Sequence, residues 1–152
     1  MMKATGLFLL MTLTYSAYAQ DLEINDEKKI KNVINHFFRS LETRDTLLMK
    51  QTTMGEAQIW RRKNNKKPIE IDTRLSKDDL QEMPNDPIIK EIPLSFKILV
   101  DDGIAVAWVP YKLWVDDKFS HCGIDVFTLF EMEGTWKIIS MAYTIEIQNC
   151  DE

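Results

Sequence analysis

The spacing of apolar residues predicts one long helix in the first third of the chain. Apolar side chains recur at steps of three and four between residues 30 and 41, the spacing of one helical face. Asn25 is placed to cap the start of this helix, and Asp26 suits the positive end of the helix dipole. His36 lies about 120° from the centre of the apolar face, so we expect it to point to solvent.

Two short helices on either side of a hairpin are predicted next. Asp45 and Ser76 are placed to cap the two helices. Between the helices, the sequence favours two strands with a turn at Asn64-Asn65. Pro68 cannot donate to a strand ladder and therefore limits the second arm to an edge position.

From Ile92 onward the apolar period changes to two, which is typical of strands. Pro110 lies inside one strand and predicts a bulge or a bend there. Because the helices precede the strands, the pattern indicates an α+β fold with an antiparallel sheet. Four strands are predicted, with turns at Asp102-Gly103, Asp116-Asp117 and Glu133-Gly134: residues 92–100, 104–115, 118–131 and 136–147.

The first 19 residues have the layout of a secretory signal peptide. Lys3 precedes a largely apolar run at residues 7–13, and Ala17-Tyr18-Ala19 follows. We expect cleavage after Ala19, one domain over residues 20–152, and a periplasmic or secreted location. The apolar run is shorter than the ~20 residues of a membrane span, so no membrane partner is expected.

The charge balance argues against a nucleic-acid partner. The chain has 19 basic and 24 acidic side chains, and loss of Lys3 with the signal peptide gives a net charge of about −6. Nucleic-acid binding needs clustered positive charge. The one basic cluster, "RRKNNKK" at residues 61–67, could meet a phosphate or an anionic surface. We expect it to be the solvated tip of the hairpin.

Long segments of the chain resemble the nuclear transport factor 2-like superfamily. They are the first helix, the "RD" that enters the second, "AWVPYKLWVDDKFSHCGIDVFTLF" and "EGTWKIISMAYT". They are most similar to the exported bacterial branch, called SnoaL-like or lumazine-binding-like. The resemblance implies a cone, in which a curved antiparallel sheet wraps around the long helix, with a pocket inside and frequently a dimer. It implies no single activity, because relatives include isomerases, dehydratases, cyclases and binding proteins.

The register of the last hairpin suggests which residues line the pocket. A two- or four-residue turn pairs Gly123 with Thr144 and His121 with Glu146. Small and polar residues then alternate with aromatic ones on one face, which suits a pocket floor. The opposite, more apolar face suits a homodimer interface, and the reverse assignment stays open. The predicted ligand-binding residues are Trp108, Tyr111, His121, Gly123, Asp125, Phe127 and Thr144.

Three functions remain open on this basis, of which the last is an interaction module whose pocket is vestigial. The first is a pocket protein that binds a small, partly aromatic molecule without turning it over. The second is an enzyme of the isomerase or lyase type with His121 as general base and Glu146 or Asp125 assisting. A carboxylate beside His121 would raise its pKa. His121 and Cys122 point to opposite faces of the strand, which excludes a thiol–imidazole pair.

No metal site or cofactor is predicted, because the two histidines and two cysteines lack zinc-site spacing. Cys122 and Cys150 could form one disulfide in an oxidising compartment. In the predicted register Cys150 lies ~17 Å along the strand from the position opposite Cys122. A disulfide needs Cα atoms within ~7 Å. The bridge therefore requires the C-terminal tail to fold back, and the sequence leaves both states open.

Overall fold

A computed structural model describes the backbone of residues 6–148 and Cys150, with side chains from Asn25 onward within that range. Residues 1–5 of the predicted signal peptide lie outside the described residues, and its backbone from Gly6 onward is helical. Within the described part of the chain, no helix combines the length and apolar character needed to cross a membrane. The elements are α1 (Gly6–Thr43), α2 (Thr46–Thr52), β1 (Thr53–Lys63), β2 (Glu70–Leu75), α3 (Ser76–Glu82), a 3-10 turn (Met83–Asn85), β3 (Ile89–Pro93), β4 (Lys97–Asp101), β5 (Ile104–Val115), β6 (Lys118–Met132) and β7 (Thr135–Ile145).

The predicted apolar face of α1 forms the centre of the core. Ile30 and Ile34 are fully buried, and the rings of Phe37 and Phe38 pack edge-to-face against Phe127 of β6 with centroids 5.7 and 5.9 Å away. Each such buried side chain contributes about 1.5–3 kcal/mol. His36 is exposed, as predicted.

Two of the predicted helix caps differ from the structure, and one is confirmed. Asp45 caps α2 by accepting hydrogen bonds from the backbone N–H groups of residues 47 and 48, at 3.0 and 2.9 Å. Asn25 lies inside α1 instead of at its start, because no proline or glycine interrupts residues 7–24. Leu75 is the residue before α3, and its N–H donates to Asp78. Ser76 is therefore buried in the first turn and does not cap it.

The strands form one seven-stranded sheet in the order β2-β1-β7-β6-β5-β3, with β4 also paired to β5. The sheet is mixed, although the sequence predicted it to be antiparallel, because β1 and β7 run parallel. The physical reason is that α2 delivers the chain to the end of the sheet where β7 also starts, so that Thr53 pairs with Ile138 and Lys63 with Ile145. The predicted hairpin is formed by β1 and β2, and β2 lies at the edge.

The strand predicted at residues 92–100 is split into β3 and β4, which pair with successive parts of β5. The break lies opposite Pro110, whose carbonyl accepts a hydrogen bond from Leu94 N at 2.8 Å. The predicted irregularity at Pro110 is therefore confirmed only on this side of β5, because the pairing with β6 continues through Pro110 and shifts only between Leu113 and Trp114. The break reverses the phase of β3 relative to β4. Ile92 and Leu94 are consequently 39% and 55% exposed, and Glu91 faces the inside of the cone.

The predicted register between β6 and β7 is confirmed from the turn to Leu129 and is wrong by one residue beyond it. Thr128 pairs with Ser140 and Leu129 with Ile138, so Ile139 is an extra residue in β7. Beyond this bulge Asp125 pairs with Tyr143, and Cys122, not His121, lies opposite Glu146. The bulge turns Met141, Tyr143 and Ile145 inward. The inner face of the sheet thus differs from the predicted pocket face.

The C-terminal tail folds back over the end of β6. Cys122 and Cys150 form a disulfide with their Cα atoms 5.6 Å apart. Beneath it, the backbones of Cys122 and Glu146 exchange hydrogen bonds of 3.0 and 2.9 Å. The C-terminal tail therefore folds back, which is the condition that the sequence analysis set for a disulfide bridge.

Candidate functional site

A cavity of about 270 Å³ lies between the last turns of α1 and the inner face of the sheet. Its volume is near the lower end of the ~300–1,000 Å³ that is usual for small-molecule sites. Polar and charged groups enter this apolar space from the residue after α1, from the β2–α3 segment, from Asp86 and from five further strands. The apolar part of the wall comprises Phe37, Leu41, Ile59, Met83, Ile89, Leu113, Val115, Met141 and Ile145.

His121 presents an unpaired nitrogen in this wall. Its Nδ1 lies 2.9 Å from the hydroxyl oxygen of Ser120, and its ring packs edge-on to Tyr111. Its Nε2 is buried and has no hydrogen-bond partner among the described residues. Burial lowers the pKa of His121 below 6.5, so the ring is neutral at pH 7. The predicted pair with Glu146 is not formed, because the bulge places Glu146 beside Cys122, where its carboxylate accepts a hydrogen bond from Asn64.

Glu91, which is partly buried, and Asp125 form a carboxyl pair at the sheet side of the cavity. Glu91 lines the cavity from β3, and Asp125 of β6 is fully buried behind it. Neither oxygen of Asp125 has a donor among the described protein groups, so only a proton on one carboxyl can bond the pair. Burial raises the pKa of Glu91 to about 7. Burial, together with the charge of Glu91, raises the pKa of Asp125 well above its usual value.

Tyr111 fills the wall between His121 and the carboxyl pair. It is 1% exposed, and its hydroxyl donates to the carbonyl oxygen of Thr144 at 2.8 Å. Burial raises its pKa, with the charge of Glu91 adding to the effect, so it acts as a neutral hydrogen-bond donor. This contact needs Gly123, because a Cβ there would overlap the Thr144 carbonyl and lie 2.9 Å from Cε1 of Tyr111.

Three arginines line the cavity with different degrees of pairing. Arg61 forms a bidentate ion pair with Asp72, with nitrogen–oxygen distances of 2.9 and 3.1 Å. Arg74 is bound by Asp79, and its guanidinium lies 5.8 Å from the centre of the Tyr143 ring. Arg44, at the end of α1, forms no ion pair within 4.0 Å among the described residues, and its Nε is buried without an acceptor.

The structure brings together only part of the predicted ligand-binding set. His121 and Tyr111 line the cavity, Asp125 lies behind Glu91, and Phe127 is in the core under α1. Gly123 packs against the backbone of Thr144. Trp108 lies on the outer face because β5 alternates regularly between Trp108 and Tyr111, so that the two side chains face opposite sides. The Thr144 side chain also lies on the outer face, because the bulge in β7 reverses the predicted phase. That face carries a shallow apolar groove, here called the outer groove, lined by Trp60, Ile71, Trp108, Ile124, Val126, Ala142 and Thr144.

Sequence reasoning missed Glu91 and Arg44. Glu91 precedes the strand predicted at residues 92–100 and was given no role there. The signal that could have identified it is Pro93 near Pro110, since both weaken a ladder at the same place. Arg44 carries no comparable signal, because an arginine after a helix is common on electrostatic grounds alone. Among the described residues no three histidine, cysteine, aspartate or glutamate side chains converge as a metal site.

A cone-shaped α+β sheet around a long helix, open to an internal cavity, defines the nuclear transport factor 2-like, or cystatin-like, fold, and this chain has that fold. A nuclear transport factor 2-like protein from Novosphingobium aromaticivorans is 8% identical, with 88% of this chain and 90% of that chain covered and a TM-score of 0.67. A candidate scytalone dehydratase from the same organism is 11% identical, with coverage of 84% and 89% and a TM-score of 0.67.

A third structure, a candidate ketosteroid isomerase from Shewanella frigidimarina, is 18% identical, with 76% of this chain and 94% of that chain covered and a TM-score of 0.57. At these identities the likeness establishes the fold alone. No family model matches the chain. No curated protein matches it either.

Proposed function

We propose that the cone binds a small, partly aromatic organic molecule in the cavity under α1. The observation that carries this proposal is the Nε2 of His121, which is buried in the cavity wall without a hydrogen-bond partner among the described residues. A buried polar atom without a partner costs about 1–3 kcal/mol, and a ligand group that forms a hydrogen bond with Nε2 would remove that cost. The rings of Phe37, Tyr111 and Tyr143 supply aromatic surface for the rest of the molecule.

Mass spectrometry of small molecules that co-purify with the protein from its native host tests this proposal. Leu113→Trp adds an indole to the cavity wall, whereas Leu47→Trp adds one at a position on α2 that is 65% exposed. We expect the co-purified molecule to be lost from the first variant and kept by the second, with both folded by circular dichroism. Equal retention in the two variants would place the binding site elsewhere.

An isomerase or lyase is the second candidate, and the Glu91–Asp125 pair favours it. This pair can hold a proton near neutral pH, and neutral His121 can accept one at Nε2. Glu91 thus takes the assisting role that the sequence assigned to Glu146 or Asp125. This candidate would be supported if the protein converts the co-purified molecule. His121→Ala and Glu91→Gln should then abolish the conversion and retain binding. Binding without turnover in the wild type would exclude it for that molecule.

We also propose that the protein is exported and forms a homodimer through the outer groove. The Cys122–Cys150 disulfide supports an oxidising compartment. In the groove Trp60, Ile71 and Trp108 are 45%, 60% and 51% exposed, which is a large apolar surface for a monomer. Light scattering after size exclusion should show a dimer that Trp108→Glu dissociates. A monomeric wild type would refute the arrangement.

A further inference from the structure

The environment of Arg44 points to the chemical class of the ligand, an inference that rests on the proposed binding function. Arg61 and Arg74 line the same cavity, but protein carboxylates already neutralise both. Arg44 has no carboxylate within 4.0 Å among the described residues. Asp86, which also lines the cavity, does not reach it. Arg44 is therefore the one guanidinium at this cavity, within the described chain, that is left for a ligand.

The backbone at Arg44 supports a specific use of this side chain. Its φ is 54°, the left-handed conformation with which helices commonly end and which favours glycine. A cation near the end of α1 is favourable through the helix dipole. The dipole does not supply an acceptor for Nε, which is buried and has no partner in the part of the chain that the structure describes. An arginine in such a place is suited to a carboxylate, because its fork can donate two parallel hydrogen bonds.

The opposite side of the cavity determines how an anion would lie. Glu91 and Asp125 form the other polar end of the site, and Glu91 would repel an anionic group once ionised. The side chains of Leu41, Leu113 and Met141 form part of the apolar wall. We propose that the cone binds a small organic monocarboxylate, with its carboxylate on Arg44 and its apolar body along this wall.

Calorimetric titration with matched acid and amide probes tests this inference. Suitable pairs are 3-phenylpropanoate with 3-phenylpropanamide and cinnamate with cinnamamide, at pH 7.5, where the acids are ionised. Loss of one charge-assisted hydrogen bond corresponds to at least about tenfold in affinity. We expect each acid to bind at least about tenfold more tightly than its amide, and Arg44→Gln to remove this preference. Arg39→Gln, an exposed arginine one turn earlier on α1, should leave it unchanged.

Three outcomes would overturn the inference. They are amides that bind as tightly as the acids, an acid preference that survives in Arg44→Gln, and the absence of binding for every acid of the set. The nitrogen-15 resonance of the Arg44 side chain gives a second readout, and it should shift with acids but not with amides. A neutral co-purified molecule that Leu113→Trp excludes would refute the carboxylate class and leave the proposed binding function intact.

Discussion

Replacement of Glu91 by glutamine should make the stability of the protein fall less as the pH rises, because the folded state favours the protonated form of Glu91. In the folded protein burial raises the pKa of Glu91 to about 7, from 4.5. Between these two pH values the unfolded chain loses its proton while the folded protein keeps it. The stability linked to the protonated carboxyl is fully present below pH 4.5 and is lost as pH rises to about 7.

The size of this effect follows from proton linkage. One carboxyl group that stays protonated in the folded state lowers the free energy of unfolding by about 1.4 kcal/mol per pH unit. Over the interval from 4.5 to about 7 the loss amounts to ~3 kcal/mol. Asp125 adds a loss of the same sign, because its pKa is also raised. Because glutamine cannot ionise, the variant lacks the part of this pH-dependent loss of stability that is due to Glu91.

Urea denaturation followed by tryptophan fluorescence, at pH values from 4.5 to 8, measures the effect. The difference in unfolding free energy between Glu91→Gln and wild type should shift in favour of the variant by up to ~3 kcal/mol across this range. Taking the difference cancels the titration of the groups that do not interact with Glu91, and the loss of the Glu91 charge lowers the contribution of Asp125 in the same direction. Glu82→Gln, at an exposed position on α3, is the control and should follow the wild type. A difference that is independent of pH would show that Glu91 ionises inside the fold as it does in water.

Three further predictions concern the frame around the site. Gly123→Ala should destabilise the protein by about 1–3 kcal/mol through overlap with Thr144, whereas Gly55→Ala, which meets only ordinary contacts, should have a small effect in the same denaturation assay. His121 should titrate below 6.5 by NMR, and Glu146→Gln should leave its curve unchanged; a shifted curve would restore the predicted pair. Replacing both cysteines by serine should lower the unfolding free energy by about 3–4 kcal/mol, because the bridge closes a 28-residue loop; an unchanged midpoint in urea would contradict this.

The sequence predicted the elements of the fold well, because their signals are local. The three-and-four spacing marked α1, Asp45 marked α2, and the tight turns at Asp102-Gly103 and Glu133-Gly134 both adopt the expected positive φ angles. The parallel pairing of β1 with β7 could not be predicted from local signals. It depends on which edge of the sheet receives the chain after α2, which is a property of the whole fold.

The predictions for the site were less successful, because they depended on strand phase. A strand alternates faces at every residue, so one extra residue exchanges the faces for all that follows. The residue Ile139 has this effect in β7, and it moved Thr144 and Ala142 to the outer face. His121 and Asp125 stayed on the inner side because the extra residue lies in β7, so that β6 alternates without interruption from His121 to Phe127.

The same irregularities also supply the chemistry of the cavity. If β3 continued the phase of β4, Glu91 would lie on the outer face, and Asp125 would be a buried carboxyl without a partner. The break opposite Pro110 brings Glu91 inside, and the bulge at Ile139 brings in Tyr143, which packs against Arg74. A regular sheet of this sequence would therefore enclose neither the carboxyl pair nor that cation–aromatic contact. Because bulges are found preferentially near functional sites, their position here is a further reason to look for function in this cavity.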